Sequence, residues 1–167
     1  MNTRKLARYS IVAALYVVFT NLVPALSFGP LQFRLSEIMT LLAFVDPFYV
    51  GPLTLGCAIA NIWSPMGIFD IIFGSLASFL ALKSMTKVKN LYLASLFPAI
   101  FSFIVGLEIV ILSKEPINFL VITGQIMLSQ FIIVSLLGVQ IYKILMKNDY
   151  LVGLIKDTNF NKKGIEL

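Results

Sequence analysis

The chain has 167 residues, 59% of them hydrophobic and 13% charged, with a mean hydropathy of +0.93; a soluble domain is roughly 45–50% apolar even with glycine counted, so a water-soluble enzyme is excluded. At about 20 residues per span this length admits about six to eight helices, so the expected class is an all-α membrane protein with no separate soluble module. The net charge of +5 comes from short basic clusters beside apolar stretches, which is an orientation signal and not a nucleic-acid footprint.

Six apolar segments follow in order. The first, Leu6 to Leu26, carries no small-residue cleavage site and reads as a retained helix, not a removable signal. The second, Leu35 to Val45, is short. Asp46-Pro47 has the pattern of an N-cap followed by a first helical position, so a third helix runs from there to Trp63, kinked early by Gly51-Pro52. Ser64-Pro65-Met66-Gly67 breaks the chain. A fourth helix covers Ile68 to Met85, a fifth Leu91 to Leu112 with a bend at Pro98, and a sixth Asn118 to Met146. The expected architecture is a compact bundle of six transmembrane helices over residues 1–147, followed by a polar, solvated tail over 148–167. No internal repeat is visible.

Basic residues set the orientation. Arg4, Lys5 and Arg8, then Lys83, Lys87 and Lys89, then Lys143, Lys147, Lys156, Lys162 and Lys163 fall on one face, leaving only Arg34 and Lys114 opposite. Both termini are therefore expected in the cytoplasm, across a bacterial plasma membrane.

Against this background Glu37, Asn61 and Asp70 stand out, because a carboxylate near hydrocarbon is costly unless it is paired or lines a wet cavity. With the inferred orientation all three fall at the outer ends of their helices. Glu108 lies about four residues, roughly 6 Å, below the outer end of the fifth helix, and Gln125 about two turns inside the sixth. The polar groups are expected to converge on an outward-opening cavity capped by the Ser27 to Arg34 connection. Plainer readings exist for each. First-turn acids are stabilised by the helix dipole, and Ser36 or Asp70 could simply cap. Arg34 could bind a ligand, pair with Glu37 at i,i+3, or meet headgroups. Gln125 and Gln130 could hold helices together, and Trp63 could be an interfacial anchor. On the first helix, Ala7, Ser10, Ala13 and Ala14 form a small-residue face that another helix could approach closely.

The runs Phe33-Arg34-Leu35-Ser36-Glu37, Gly56-Cys57-Ala58-Ile59-Ala60-Asn61 and Ser64-Pro65-Met66-Gly67-Ile68-Phe69-Asp70, continuing to Ala77, resemble the QueT family. Its members are substrate-binding S-components of energy-coupling factor (ECF) transporters for queuosine precursors. The resemblance implies capture of a 7-deazaguanine such as preQ1 or queuine from outside, with a transmembrane coupling protein and two cytoplasmic ATPases as partners. It also implies that the small face of the first helix docks the coupling protein. A 7-deazaguanine presents two parallel donors that one carboxylate can accept, and a carbonyl that needs a donor. Glu37 or Asp70 suits the first role, Asn61 the second, and Phe33, Trp63 and Phe69 are candidates to stack on the ring.

Enzymatic readings are narrow. There is no histidine, Cys57 is the sole cysteine, and no phosphate-cradling loop occurs, so imidazole catalysis, thiolate clusters and intrinsic ATP hydrolysis are excluded, and no metal or cofactor is expected. The remaining alternatives are an S-component for another vitamin-like heterocycle, an intramembrane acid-based enzyme using Glu37 and Asp70, and a ligand-free accessory protein.

Overall fold

A computed structural model describes residues 3–113 and 116–155. Among these the secondary structure is helical, with no strand. The α-helices are α1 (Thr3–Asn21), α2 (Pro24–Ser27), α3 (Leu42–Val45), α4 (Val50–Ala60), α5 (Ile68–Met85), α6 (Leu91–Phe101), α7 (Phe103–Leu112), α8 (Phe119–Gln130), α9 (Val139–Leu145) and α10 (Asp149–Ile155). Tighter 3-10 segments occupy Leu35–Leu41, Pro47–Tyr49 and Asn61–Trp63, and a wide π segment, Phe131–Gly138, joins α8 to α9. Each of the six apolar stretches is thus helical. Three of them, Ile68–Met85, Leu91–Leu112 and Phe119–Leu145, are long and apolar enough to cross a membrane.

Local chemistry accounts for the boundaries. The Asp46 carboxylate accepts from the Phe48 amide at 3.0 Å, with Pro47 at the first position, as an N-cap should. Asn118 caps α8 in the same way. The expected bend in the fifth stretch falls at Ser102, four residues after Pro98, where α6 gives way to α7. Across from it the Ser135 hydroxyl donates to the Ser95 carbonyl at 3.1 Å.

α1 packs on α4, α4 on α5, and α5 on α6 and α7, while α8 closes against α6 and α7. A large apolar core includes Tyr16, Leu41, Leu53, Leu82, Met85, Leu91 and Ile133; a smaller one joins Ala77, Val105, Ile122 and Ile126. The outer surface is covered by exposed Ile62, Ile68, Ile72, Ile111, Leu120 and Ile144 among others. Only hydrocarbon can cover so continuous an apolar surface at low cost.

Glycine permits two of the close helix approaches. A Cβ on Gly56 would sit 3.0 Å from the Ala13 carbonyl oxygen, so α1 and α4 meet backbone to side chain there. A Cβ on Gly106 would overlap the Thr123 hydroxyl and lie 3.2 Å from the Thr123 Cα, which cannot rotate away. Gly106→Ala is expected to cost about 1–3 kcal/mol, read as lower thermal stability in detergent. Gly124→Ala, whose Cβ meets nothing within 4 Å, should cost nothing.

Two expectations need correction. The polar tail from Asn148 begins with a helix: α10 is ordered against the body, the Tyr49 hydroxyl donating to the Ile155 carbonyl at 2.9 Å. On the first helix, Ala13 is buried against Gly56. Ala7, Ser10 and Ala14 remain as an exposed small-residue stripe, because Ala13 lies about 100° around the helix from Ala14 and turns toward the neighbouring helix. Lys114, Lys156, Lys162 and Lys163 lie outside the described residues.

Candidate binding cavity

The polar groups are assembled by the C-terminal end of α4, the N-terminal end of α5 and the chain between α2 and the 3-10 segment that begins at Leu35. Arg34 is the hub. Its Nε donates to the Ser27 carbonyl at 3.1 Å, Nη1 to the Asn61 side-chain oxygen at 3.0 Å, and Nη2 to Asp70 Oδ2 at 3.4 Å, while its guanidinium lies 5.2 Å from the Phe28 ring. Arg34, Asn61 and Asp70 are all buried. Asn61 Nδ2 donates to the Asp70 carbonyl at 2.8 Å, tying the end of α4 to the first turn of α5. This planar, five-donor side chain can brace three elements at once in a way a lysine cannot. Neither Ser36 nor Asp70 serves as a cap: no side-chain cap bond forms at Leu35–Leu41 or at α5, and the Ser36 hydroxyl instead meets the Thr20 hydroxyl at 2.7 Å.

Glu37 stands beside this hub and does not pair with Arg34 through a direct bond. Its Oε1 accepts from the Tyr16 hydroxyl at 2.6 Å, and its backbone carbonyl accepts from Thr40 at 2.5 Å. It faces a partly open cavity of about 40 Å³, room for about three waters at roughly 10–15 Å³ each. The polar lining is Gln32, Arg34, Glu37, Thr40, Ser78, Ser102 and Gln130. On α5, Gly74, Ala77, Ser78 and Ala81 repeat at three- and four-residue steps, so one helix face presents a flat wall of small side chains. Pro98, Val105 and Ile126 form the opposite, apolar side. Gln32 reaches the cavity from a left-handed backbone conformation, φ +48°, in the Ser27 to Arg34 connection, which therefore forms part of its wall.

Of the residues singled out in the sequence, Arg34 and Glu37 line the cavity, and Asn61 and Asp70 adjoin it through Gly74. A Cβ on Gly74 would come within 2.6 Å of Asn61 Nδ2 and 2.9 Å of Asp70 Oδ1. Glu108 is buried on α7 and lines the apolar cleft between α5 and α7, not the polar cavity. The others lie elsewhere. Phe33 is half-buried and packs against the main apolar core. Trp63 and Phe69, 61% and 45% exposed, face outward, so neither is a stacking platform in the cavity. Gln125 is exposed as well. Helical phase explains these corrections. Phe69 is about 100° from inward-facing Asp70, and Gln125 is about 140° from Gln130, so only one of each pair can face in.

Tyr16, Gln32, Thr40 and Ser102 were not anticipated. Tyr16 carried a usable signal, since it lies one turn before Thr20 on the buried side of α1 and a buried tyrosine hydroxyl needs a partner. A larger, mostly apolar cleft, about 250 Å³ between α5 and α7, is lined by Phe69, Phe73, Leu76, Leu107 and Ile111, with Glu108 as its one acidic group.

The QueT transporter family model matches residues 6–147. A curated relative, the queuosine precursor transporter QueT of Lactococcus lactis subsp. cremoris (strain MG1363), is 30% identical, the match covering 77% of this chain and 85% of the relative. No solved structure matches the chain. With its spanning-length apolar helices, this is a multi-pass protein of the plasma membrane. Over most of its length, the chain belongs to the QueT transporter family.

Proposed function

We propose that this protein is the substrate-binding S-component of an ECF-type importer, capturing a queuosine precursor of the 7-deazaguanine class from outside. The observation that carries the reading is the partly open cavity between a small-residue wall on α5 and a row of amide and carboxylate groups, in a chain of the QueT family. Once the cavity widens, a planar bicyclic ring would lie against the small-residue wall of Gly74, Ala77 and Ala81, with Val105 and Ile126 on its other side. Glu37, held by Tyr16, accepts from the ring N1–H and exocyclic amine; Gln32 and Gln130 supply the donors for its carbonyl. Asn61, with both ends of its amide engaged, acts by fixing Arg34 and the start of α5 and not by touching the ligand.

The cavity as it stands is smaller than the roughly 300–1,000 Å³ of ordinary ligand sites. Binding must therefore move a wall, and the Ser27 to Arg34 connection is the wall with no helix of its own. In this reading six spans form one domain over residues 1–147, both termini are cytoplasmic, and ATP is hydrolysed only by partner ATPases. The exposed stripe Ala7, Ser10 and Ala14 is the surface offered to the coupling protein.

Equilibrium binding to the purified chain, without partners, tests this. A 7-deazaguanine precursor should bind and unrelated vitamins should not. Glu37→Gln should weaken binding by roughly 10- to 100-fold, the worth of a hydrogen bond to a charged group. Preferential binding of a vitamin, or undiminished affinity in the variant, would reject the assignment.

A further inference from the structure

The larger hollow, between α5 and α7, has a chemistry that capture of a polar substrate does not use. Its walls are two rows of side chains, Phe69, Phe73 and Leu76 along α5 and Ile104, Leu107 and Ile111 along α7. At 1.5 Å per residue each row is roughly 10 Å long. Phe69, Phe73, Leu76, Leu107 and Ile111 are exposed, and in a multi-pass membrane protein it is hydrocarbon that meets them. Set into these walls is Glu108, 3% exposed, with neither carboxyl oxygen hydrogen-bonded among the described residues. Other buried polar atoms without a partner include Asp70 Oδ1, Gln130 Oε1 and the hydroxyls of Ser75, Thr123 and Ser129, but none of those residues lines this cleft. A carboxyl group beside hydrocarbon and without a partner is costly. The cleft thus joins a groove suited to an acyl chain with one polar group that lacks a hydrogen-bonding partner.

The depth of Glu108 narrows the choice of occupant. It lies four residues before Leu112, where both α7 and its apolar span end, and so about 6 Å inside the apolar edge. Charged headgroups lie outside that edge and would have to shed their water to reach the carboxyl. A small, uncharged head at the glycerol level reaches it without that cost. A hydroxyl suits a carboxyl in either protonation state, because it donates to an ionised oxygen and accepts from a neutral acid. We propose that the cleft between α5 and α7 binds a neutral glycerolipid with a free hydroxyl, of the diacylglycerol type, its acyl chain lying between the two apolar rows and its hydroxyl hydrogen-bonded to Glu108. Glu108 takes no part in lining the polar cavity, so this lipid site stands or falls independently of the substrate assigned there.

The protein has one tryptophan, Trp63, so Trp63→Phe combined with Phe73→Trp places the sole tryptophan in the cleft, and Leu76→Trp in place of Phe73→Trp gives a second reporter. In phosphatidylcholine bilayers this fluorescence is quenched by bromine on an acyl chain that occupies the cleft. A chain-brominated diacylglycerol should compete with phosphatidylcholine about 3- to 10-fold better than its 3-acetyl ester, which has the same chains and no donor, as the worth of one hydrogen bond warrants. Adding Glu108→Leu should make the two lipids quench alike. Because that change removes a buried carboxyl without a partner, it should not lower the melting temperature of the reporter chain. Equal quenching by both lipids with Glu108 in place overturns the hydroxyl site, and a preference that survives Glu108→Leu overturns the role of Glu108. Quenching by neither lipid beyond that of brominated phosphatidylcholine overturns the cleft as a glycerolipid site, and a lower melting temperature in Glu108→Leu would show that the carboxyl serves the fold instead.

Discussion

Replacing Arg34 with methionine is expected to do the greatest damage of any single change to a polar group in this protein. The substitution leaves the Asp70 carboxylate buried without its cation and the Ser27 and Asn61 oxygens without their donors. Removing one member of a buried pair costs about 3–5 kcal/mol, so Arg34→Met should unfold well below the wild type in detergent and lose measurable ligand affinity. Most of that cost is the stranded charge, not the lost bond. Arg34→Met combined with Asp70→Asn should therefore be more stable than Arg34→Met alone, a coupling that a double-mutant thermal series would reveal. Additive losses would mean that the two side chains do not act as a pair.

Gly74→Ala is expected to have the second largest effect, and to act on binding more than on folding. Its Cβ would enter the space held by Asn61 Nδ2 and Asp70 Oδ1. Side-chain ends can often yield, but these are pinned: Asn61 is bonded at both ends of its amide, and Asp70 is held by Arg34. Accommodating one methyl group means displacing the Arg34 network and narrowing the flat wall of the cavity. The stability cost should be about 1–3 kcal/mol, with ligand affinity reduced roughly 10-fold or more as the hydrogen-bonded groups shift. Gly124→Ala, on α8 where a Cβ meets nothing within 4 Å, should leave both quantities near wild type. Binding isotherms and thermal scans on the two variants distinguish this local effect from a general intolerance of alanine.

How far the sequence reaches into this picture depends on the kind of information required. Helical segments could be located because apolar runs are bounded by residues with fixed conformational consequences: Asp46-Pro47 starts one, Ser64 to Gly67 separates two, and Pro98 divides another near Ser102. Glu37, Asn61 and Asp70 could be grouped because polar groups in hydrocarbon must find one another; that Arg34 joins Asn61 and Asp70, and not Glu37, is not written in the local sequence. Rotational phase was harder. Trp63 and Phe69 share the depth of Asn61 and Asp70 yet face the lipid, and depth was all that hydropathy supplied. The segment Leu35–Leu41 winds as a 3-10 helix and packs against the π-wound segment Phe131–Gly138, an overwound turn set against an underwound one. Nothing in either local sequence dictates this. It comes from the fit between them, where a Cβ on Gly138 would lie 3.3 Å from Leu41 Cδ1.

The partnership of Tyr16 with Glu37 belongs to the same class of information. It joins residues 21 positions apart on two different elements, and it converts a carboxylate that looked like a helix-dipole group into a fixed acceptor at the cavity wall. The small-residue stripe on α5 is visible as Gly74, Ser75, Ala77 and Ser78, and packing is its ordinary interpretation. In the fold Ala77 packs with Val105, Ile122 and Ile126 and Gly74 lies against the Asn61 and Asp70 side chains, while both also line the cavity.

A structure of the purified chain bound to an aminomethyl 7-deazaguanine is the most direct test. The ring should lie between Gly74, Ala77 and Ala81 and the Ile126 to Gln130 side, with Glu37 in hydrogen-bonding contact with its N1–H and amine. Ligand seated in the apolar cleft beside Phe69 and Ile111, or a ring with no contact to Glu37, would contradict the account.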